Sequence, residues 1–141
     1  VKEQVDNLWD IYDAGNWIGV TTNGVVKSDG SAVMGKGIAL DAAKRFPNLP
    51  KQLAFKLKES GNHVFFFLQY RIVTIPTKDD WKENSKIELI KQSCQELRMF
   101  SAGKLYLPPL GCGNGGLLWN DVRAVIAPIL DQDWFVVVHR K

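Results

Sequence analysis

The sequence has too few cysteines and histidines for a disulfide framework or a self-contained zinc site: Cys94, Cys112, His63 and His139 are all it holds in 141 residues. A reduced, cytoplasmic protein with no metal and no other cofactor is the expectation. Long apolar runs are also missing. Stretches such as Val64–Leu68 fall far below the roughly 20 residues that cross a bilayer, and no signal-peptide core stands near the N-terminus, so no membrane partner is expected. Charge of one sign is not in excess either. Eighteen Lys plus Arg against fifteen Asp plus Glu leave a net +3, too little to mark a nucleic-acid binder by charge alone, yet compatible with a polyanionic substrate. No repeat, low-complexity tract or Gly/Ser/Pro-rich linker divides the chain, so residues 1–141 read as one domain, and a 45% hydrophobic composition suffices for its core.

What is present is an alternation of two patterns. Trp17–Thr22, His63–Gln69, Arg71–Ile75, Lys104–Leu107 and Trp134–His139 are short and rich in β-branched or aromatic residues, which predicts strands buried on both faces; an earlier strand is expected to end near Leu8–Ile11. Between them, Lys36–Phe46 carries a helical apolar stripe and stops before Pro47, while Pro50–Ser60 opens on a first-turn proline and ends at Gly61. Ser85 and Glu88 form a capping-box pattern that predicts a helix to about Phe100. A last helix is expected after Asn120 as N-cap, with Pro128 kinking or ending it. The alternation implies a three-layer α/β/α sandwich around a mixed, mostly parallel sheet, whose ligands bind at the carboxyl ends of the strands.

Two glycine-rich turns fall where such a site belongs. Met34-Gly35-Lys36-Gly37 opens a helix, and Gly111-Cys112-Gly113-Asn114-Gly115-Gly116 follows the strand at Lys104–Leu107. Glycines let backbone approach a ligand closely, and amides at a helix start point their hydrogens at an anion, so the two loops together suit a diphosphate gripped from both sides. Either loop alone is equally well read as a tight turn. The second fits GxGxxG, but it comes late in the chain and lacks the acidic residue expected about 20 positions on, which argues against a Rossmann dinucleotide site. Lys78 follows the strand at Arg71–Ile75 through Pro76 and Thr77, which puts an amine at the same edge; position alone favours a solvated surface lysine over a nucleophile, which would need desolvation or a neighbouring cation to lose its proton. Cys112 and Cys94 read as packing residues, one in a loop and one on a helix stripe.

In order along the chain, Thr22-Asn23-Gly24, Met34-Gly35-Lys36-Gly37-Ile38-Ala39-Leu40, Pro76-Thr77-Lys78 and Pro108-Pro109-Leu110-Gly111-Cys112-Gly113-Asn114-Gly115-Gly116-Leu117 resemble the macrodomain family across nearly the whole sequence. Within it they look like the DNA ADP-ribosyl glycohydrolase antitoxins of the DarT/DarG type and the related terminal ADP-ribose glycohydrolases. The resemblance implies an ADP-ribose cleft. Asp10, at the end of the first strand, would accept from the adenine amino group with Ile11 beside it; Asn23 would face the distal ribose. Gly35, Gly37 and Ile38 would flank the diphosphate on one side. Gly111, Cys112, Gly113, Asn114, Gly115, Gly116 and Leu117 would flank it on the other. Lys78 would be the catalytic lysine, acting at the anomeric carbon. The implied substrate is ADP-ribose on a macromolecule, DNA first and protein second, and the implied partner is a cognate ADP-ribosyltransferase toxin; a monomer in a bacterial or phage-infected cell is expected.

The chain departs from the family's pattern in three places. Gly115 stands where relatives acting on modified glutamate carry an Asp, which favours the DNA-directed group. Val25–Val33 is longer than in many macrodomains, and the wider family's triple glycine is absent. Competing readings are an ADP-ribose reader without turnover and a phosphatase acting on ADP-ribose 1″-phosphate. Bulky substitution at Gly113 or Gly115 is expected to block the diphosphate and leave the fold intact.

Overall fold

Strand β2 (Trp17–Thr22) shows why the architecture follows from the sequence. Ile18 and Val20 point to one face of the sheet and are fully buried, while Gly19 points to the other, where a Cβ would sit 2.6 Å from both Ile75 Cδ1 and Leu107 Cδ2. A strand covered on both faces needs apolar or very small residues throughout. The computed structural model describes residues 1–141. In it, β2 lies near the middle of a six-stranded sheet with β1 (Lys2–Val5), β3 (Phe65–Phe67), β4 (Ile72–Pro76), β5 (Leu105–Leu107) and β6 (Phe135–His139), in the order β1-β6-β5-β2-β4-β3. All neighbours pair in parallel except β3, which runs antiparallel to β4 with Phe66 opposite Val73.

The helices cover the sheet from two sides. Ile18, Val20 and Ile72 pack with Ala39 and Ala42 of α2 (Gly37–Arg45) and with Leu49 and Leu53 of α3 (Leu49–Ser60). On the opposite face Val73, Ile75, Leu107 and Val137 meet Ile90, Cys94 and Leu97 of α4 (Ile87–Leu97) and Val122 and Ile126 of α5 (Trp119–Ile126). The mixed, mostly parallel three-layer α/β/α sandwich expected from the alternation is the observed fold. No helix is long and apolar enough to cross a membrane.

Four local expectations are corrected. The first strand is Lys2–Val5, and Leu8–Asp13 forms a helix, α1, so Asp10 lies in a helical first turn rather than at a strand end. Asn7 starts that helix: its side-chain oxygen accepts from Trp9 N at 3.0 Å and Asp10 N at 3.2 Å. Strand β3 is only Phe65–Phe67, because Leu68–Tyr70 turns as a 3-10 helix and Arg71 takes a left-handed φ of 53°, its guanidinium donating to the Tyr12 and Asn16 carbonyls. The capping box does not form. Lys86 is the N-cap of α4, while the Ser85 N–H is taken by the Gly115 carbonyl at 2.9 Å and its hydroxyl is buried without a partner. Helix α5 begins at Trp119 with Leu118 at the cap, so Asn120 lies inside the helix, which ends at Ile126, ahead of Pro128.

Candidate functional site

Because β2, β4, β5 and β6 are parallel, the segments that leave them emerge at one edge of the sheet. A cleft of about 1050 Å³ opens there. Its first wall is the Met34–Gly37 turn and the start of α2. Gly37 has a φ of 56°, which a side chain would strain, and a Cβ at Gly35 would meet nothing within 4 Å. The first intrahelical bond runs from Leu40 N to Lys36 O, so the amides before it stay unpaired at the cleft wall. The second wall is the loop after β5, closed by Leu117 N to Gly111 O at 3.0 Å and turned by left-handed Gly111 and Gly116. The walls approach one another where a Cβ on Gly37 would be 3.4 Å from Asn114 Nδ2.

The glycines of the second wall differ. Gly113 is exposed and opens on empty space, whereas Gly115 is buried and a Cβ there would collide with Ser85 Oγ and the Gly111 carbonyl oxygen. Substitution at Gly115 therefore strains the loop itself, and only Gly113 fits the expectation of a change that spares the fold.

Lys78 is half-buried, and its Nζ donates to Asn114 O at 3.3 Å, joining the end of β4 to the second wall. Its backbone is held from several sides. Thr77 N donates to Thr22 O at 3.1 Å, Lys86 N to Thr77 O at 2.9 Å, and Gly24 N to Asp79 O at 2.9 Å. The Asn62 amide donates to Lys78 O at 3.1 Å and to Asp79 Oδ1 at 3.0 Å; this bond, with Lys86 nearby, holds the Asp79 carboxyl below the usual range. Ser93 Oγ, buried, donates to Pro76 O at 2.7 Å.

At the near side, Asn23 uses its side chain on its own loop: Nδ2 donates to Val33 O at 3.2 Å and Oδ1 accepts from Val25 N at 3.0 Å. That clamp folds Val25–Val33 into a hairpin bridged at Val26 and Ala32. Asp10 is exposed at the far end of the cleft, beside Trp9, whose Nε1 donates to Asp41 Oδ2 at 3.3 Å under the Arg45 guanidinium. Both thiols are held toward the protonated form. Burial pushes Cys112 up and Cys94 up to about 12, and both histidines are engaged with Glu96 and Glu3. No cluster of His, Cys, Asp or Glu is arranged to hold a metal.

No family model matches the chain. It is 30% identical over 135 residues to a DNA ADP-ribosyl glycohydrolase of Mycobacterium tuberculosis, an overlap of 86% of this chain and 38% of that protein. It is 36% identical over 116 residues to a protein of that name from Thermus aquaticus, 70% of this chain and 31% of the relative. The chain thus spans about a third of the length of these curated relatives. Its fold superposes on the macrodomain of Thermus aquaticus DarG with a TM-score of 0.75 at 29% identity, covering 99% of this chain and 97% of that one. The chain belongs to the macrodomain family.

Its kinship within that family is with the DarG type. In this macrodomain Asp10, Asn23, Gly35, Gly37, Ile38 and Lys78 all line the cleft, as do Gly111, Cys112, Gly113, Asn114 and Gly115. Three candidates do not. Ile11 is buried behind Asp10 against Val136 and Val138, Leu117 packs on the core below α5, and Gly116 faces away from the cleft beside Asn84. Sequence reasoning missed Trp9, Trp81, Lys36 and Arg140, which also line the cleft. Arg140 was signalled by its place directly after a parallel strand.

Proposed function

We propose that this macrodomain is an ADP-ribosyl glycohydrolase acting on DNA, with thymidine as the leading base and Lys78 as the group at the anomeric carbon. The observation that carries this is a lysine whose amine bridges the end of β4 and the second glycine loop, in a cleft whose other wall is a helix start. The unpaired amides and the Gly35 and Gly113 openings suit a diphosphate. Asn23 keeps one N–H beyond the bond to Val33, enough to reach a ribose hydroxyl. Asp10 suits an adenine amino group.

In the proposed reaction the bond between the anomeric carbon and the base breaks, its electron pair going to the base nitrogen, which takes a proton. Lys78 Nζ bonds to that carbon or stabilises charge beside it, and water then releases ADP-ribose and restores the amine. The protein would work as a cytoplasmic monomer on the product of a partner ADP-ribosyltransferase. A second reading, an ADP-ribose reader, is favoured by the crowding at Gly115, which leaves the second loop no room for a carboxylate.

The test is release of ADP-ribose from a thymidine-modified single-stranded oligonucleotide by wild type and Lys78→Ala, both checked for ADP-ribose binding. Release by the wild type alone is expected. Binding by both with release by neither supports the reader. Release of phosphate from ADP-ribose 1″-phosphate with no loss in Lys78→Ala points to the phosphatase.

A further inference from the structure

Trp81 stands three residues beyond Lys78, lines the same cleft and leaves 44% of its surface exposed. It is not on a loose segment. Asp80 Oδ1 accepts from Lys82 N at 3.0 Å and its carbonyl from Glu83 N at 3.1 Å, while Asp79 and Glu83 both pair with Lys86, at 3.3 and 3.7 Å. The ring is therefore presented from a turn fastened at both ends, with Lys82 Nζ 5.5 Å from its centroid. Lys82 forms no salt bridge within the chain, and neither do Lys36 and Arg140, which line the same cleft.

We propose that Trp81 is a stacking platform for a base flanking the modified nucleotide, with Lys82 meeting the adjoining phosphate, so that the site selects single-stranded DNA over a modified mononucleotide or protein. The inference rests on the proposed function, since it takes Lys78 to mark the reacting centre. A strand of nucleotides presents a π-face and a negative charge at every step, and an exposed aromatic beside an unpaired lysine is complementary to both. A modified protein side chain offers neither in regular succession. The fastened turn also means that the platform needs little ordering when the strand arrives.

The experiment measures binding to Lys78→Ala protein, which separates recognition from turnover. The probes are free ADP-ribose, an ADP-ribosylated thymidine mononucleotide, the same nucleotide within a short single-stranded oligonucleotide, and an ADP-ribosylated peptide. One base stacked on an aromatic ring corresponds to roughly a 5- to 150-fold gain in affinity, and for a ring in partial contact about tenfold is expected of the oligonucleotide over the mononucleotide. Adding Trp81→Ala should abolish that gain, Trp81→Phe should keep most of it, and the change should be confined to the oligonucleotide. Equal binding of oligonucleotide and mononucleotide, a gain that survives Trp81→Ala, or an equal gain with the peptide overturns the proposal. If the wild type releases no ADP-ribose from DNA while the Trp81-dependent gain persists, the hydrolase reading falls and the platform stands.

Discussion

Two glycines separated by one residue give the sharpest test of the cleft. At Gly115→Ala the new methyl collides with Ser85 Oγ and with the Gly111 carbonyl oxygen, and lies 2.8 Å from the Gly111 carbonyl carbon. Ser85 is 7% exposed and cannot swing into solvent, and Gly111 is fixed by its left-handed φ of 75° and its bond from Leu117 N, so the loop itself must move. Overpacking of this kind costs about 1–3 kcal/mol. For 141 residues, unfolding entropy of about 2 cal/mol/K per residue converts this to a fall in melting temperature of about 3–10 °C. Gly113→Ala meets nothing within 4 Å and should leave stability within about 0.5 kcal/mol, while Gly113→Glu fills the space in front of the loop and should remove ADP-ribose binding. Thermal melts and calorimetric titration with ADP-ribose read both effects. A Gly115→Ala protein that melts with the wild type refutes the packing argument, and a folded Gly113→Glu protein with unchanged ADP-ribose affinity refutes the placement of the diphosphate.

Asn62 donates to both Lys78 O and Asp79 Oδ1, so Asn62→Ala should destabilise by about 1–2 kcal/mol and lower kcat on modified DNA with little change in KM, the signature of a misplaced lysine; a rise in KM alone would argue against a positioning role. Glu3 accepts from His139 Nε2 and from Trp119 Nε1, both at 2.9 Å, and pairs with Arg123. The His139 bond does most to hold its carboxyl below the usual range, against a burial effect of opposite sign. A depressed folded value gives stability that is complete above the unfolded carboxyl value of about 4.3 and lost as pH falls through the folded one. Melting temperature should therefore drop on acidification from about pH 5 to about pH 3, and drop less steeply in Glu3→Gln; parallel curves would remove Glu3 from the acid response.

The sheet was legible because a strand buried on both faces leaves an unmistakable residue pattern, and β2, β4 and β6 carry it in Ile18, Val73 and Val137. Helix α1 was not, since a helix of six residues has hardly more than one turn in which to show a period; only Asn7, an N-cap ahead of Leu8, Ile11 and Tyr12, announced it. Ser85 misled for a different reason. Its pattern with Glu88 is local, but its N–H is claimed by Gly115 from the other side of the cleft floor, and a tertiary partner outcompetes the cap. The same contact decides what the sequence could not show at Gly113 and Gly115, which read alike as loop glycines. Ser85 stands where a side chain from position 115 would point, so a carboxylate cannot be placed there without displacing the floor of the loop. The second wall thus contributes glycine openings and backbone amides rather than an acid. In the proposed reaction the group at the anomeric carbon is then Lys78, which is why loss of that one amine should separate turnover from binding.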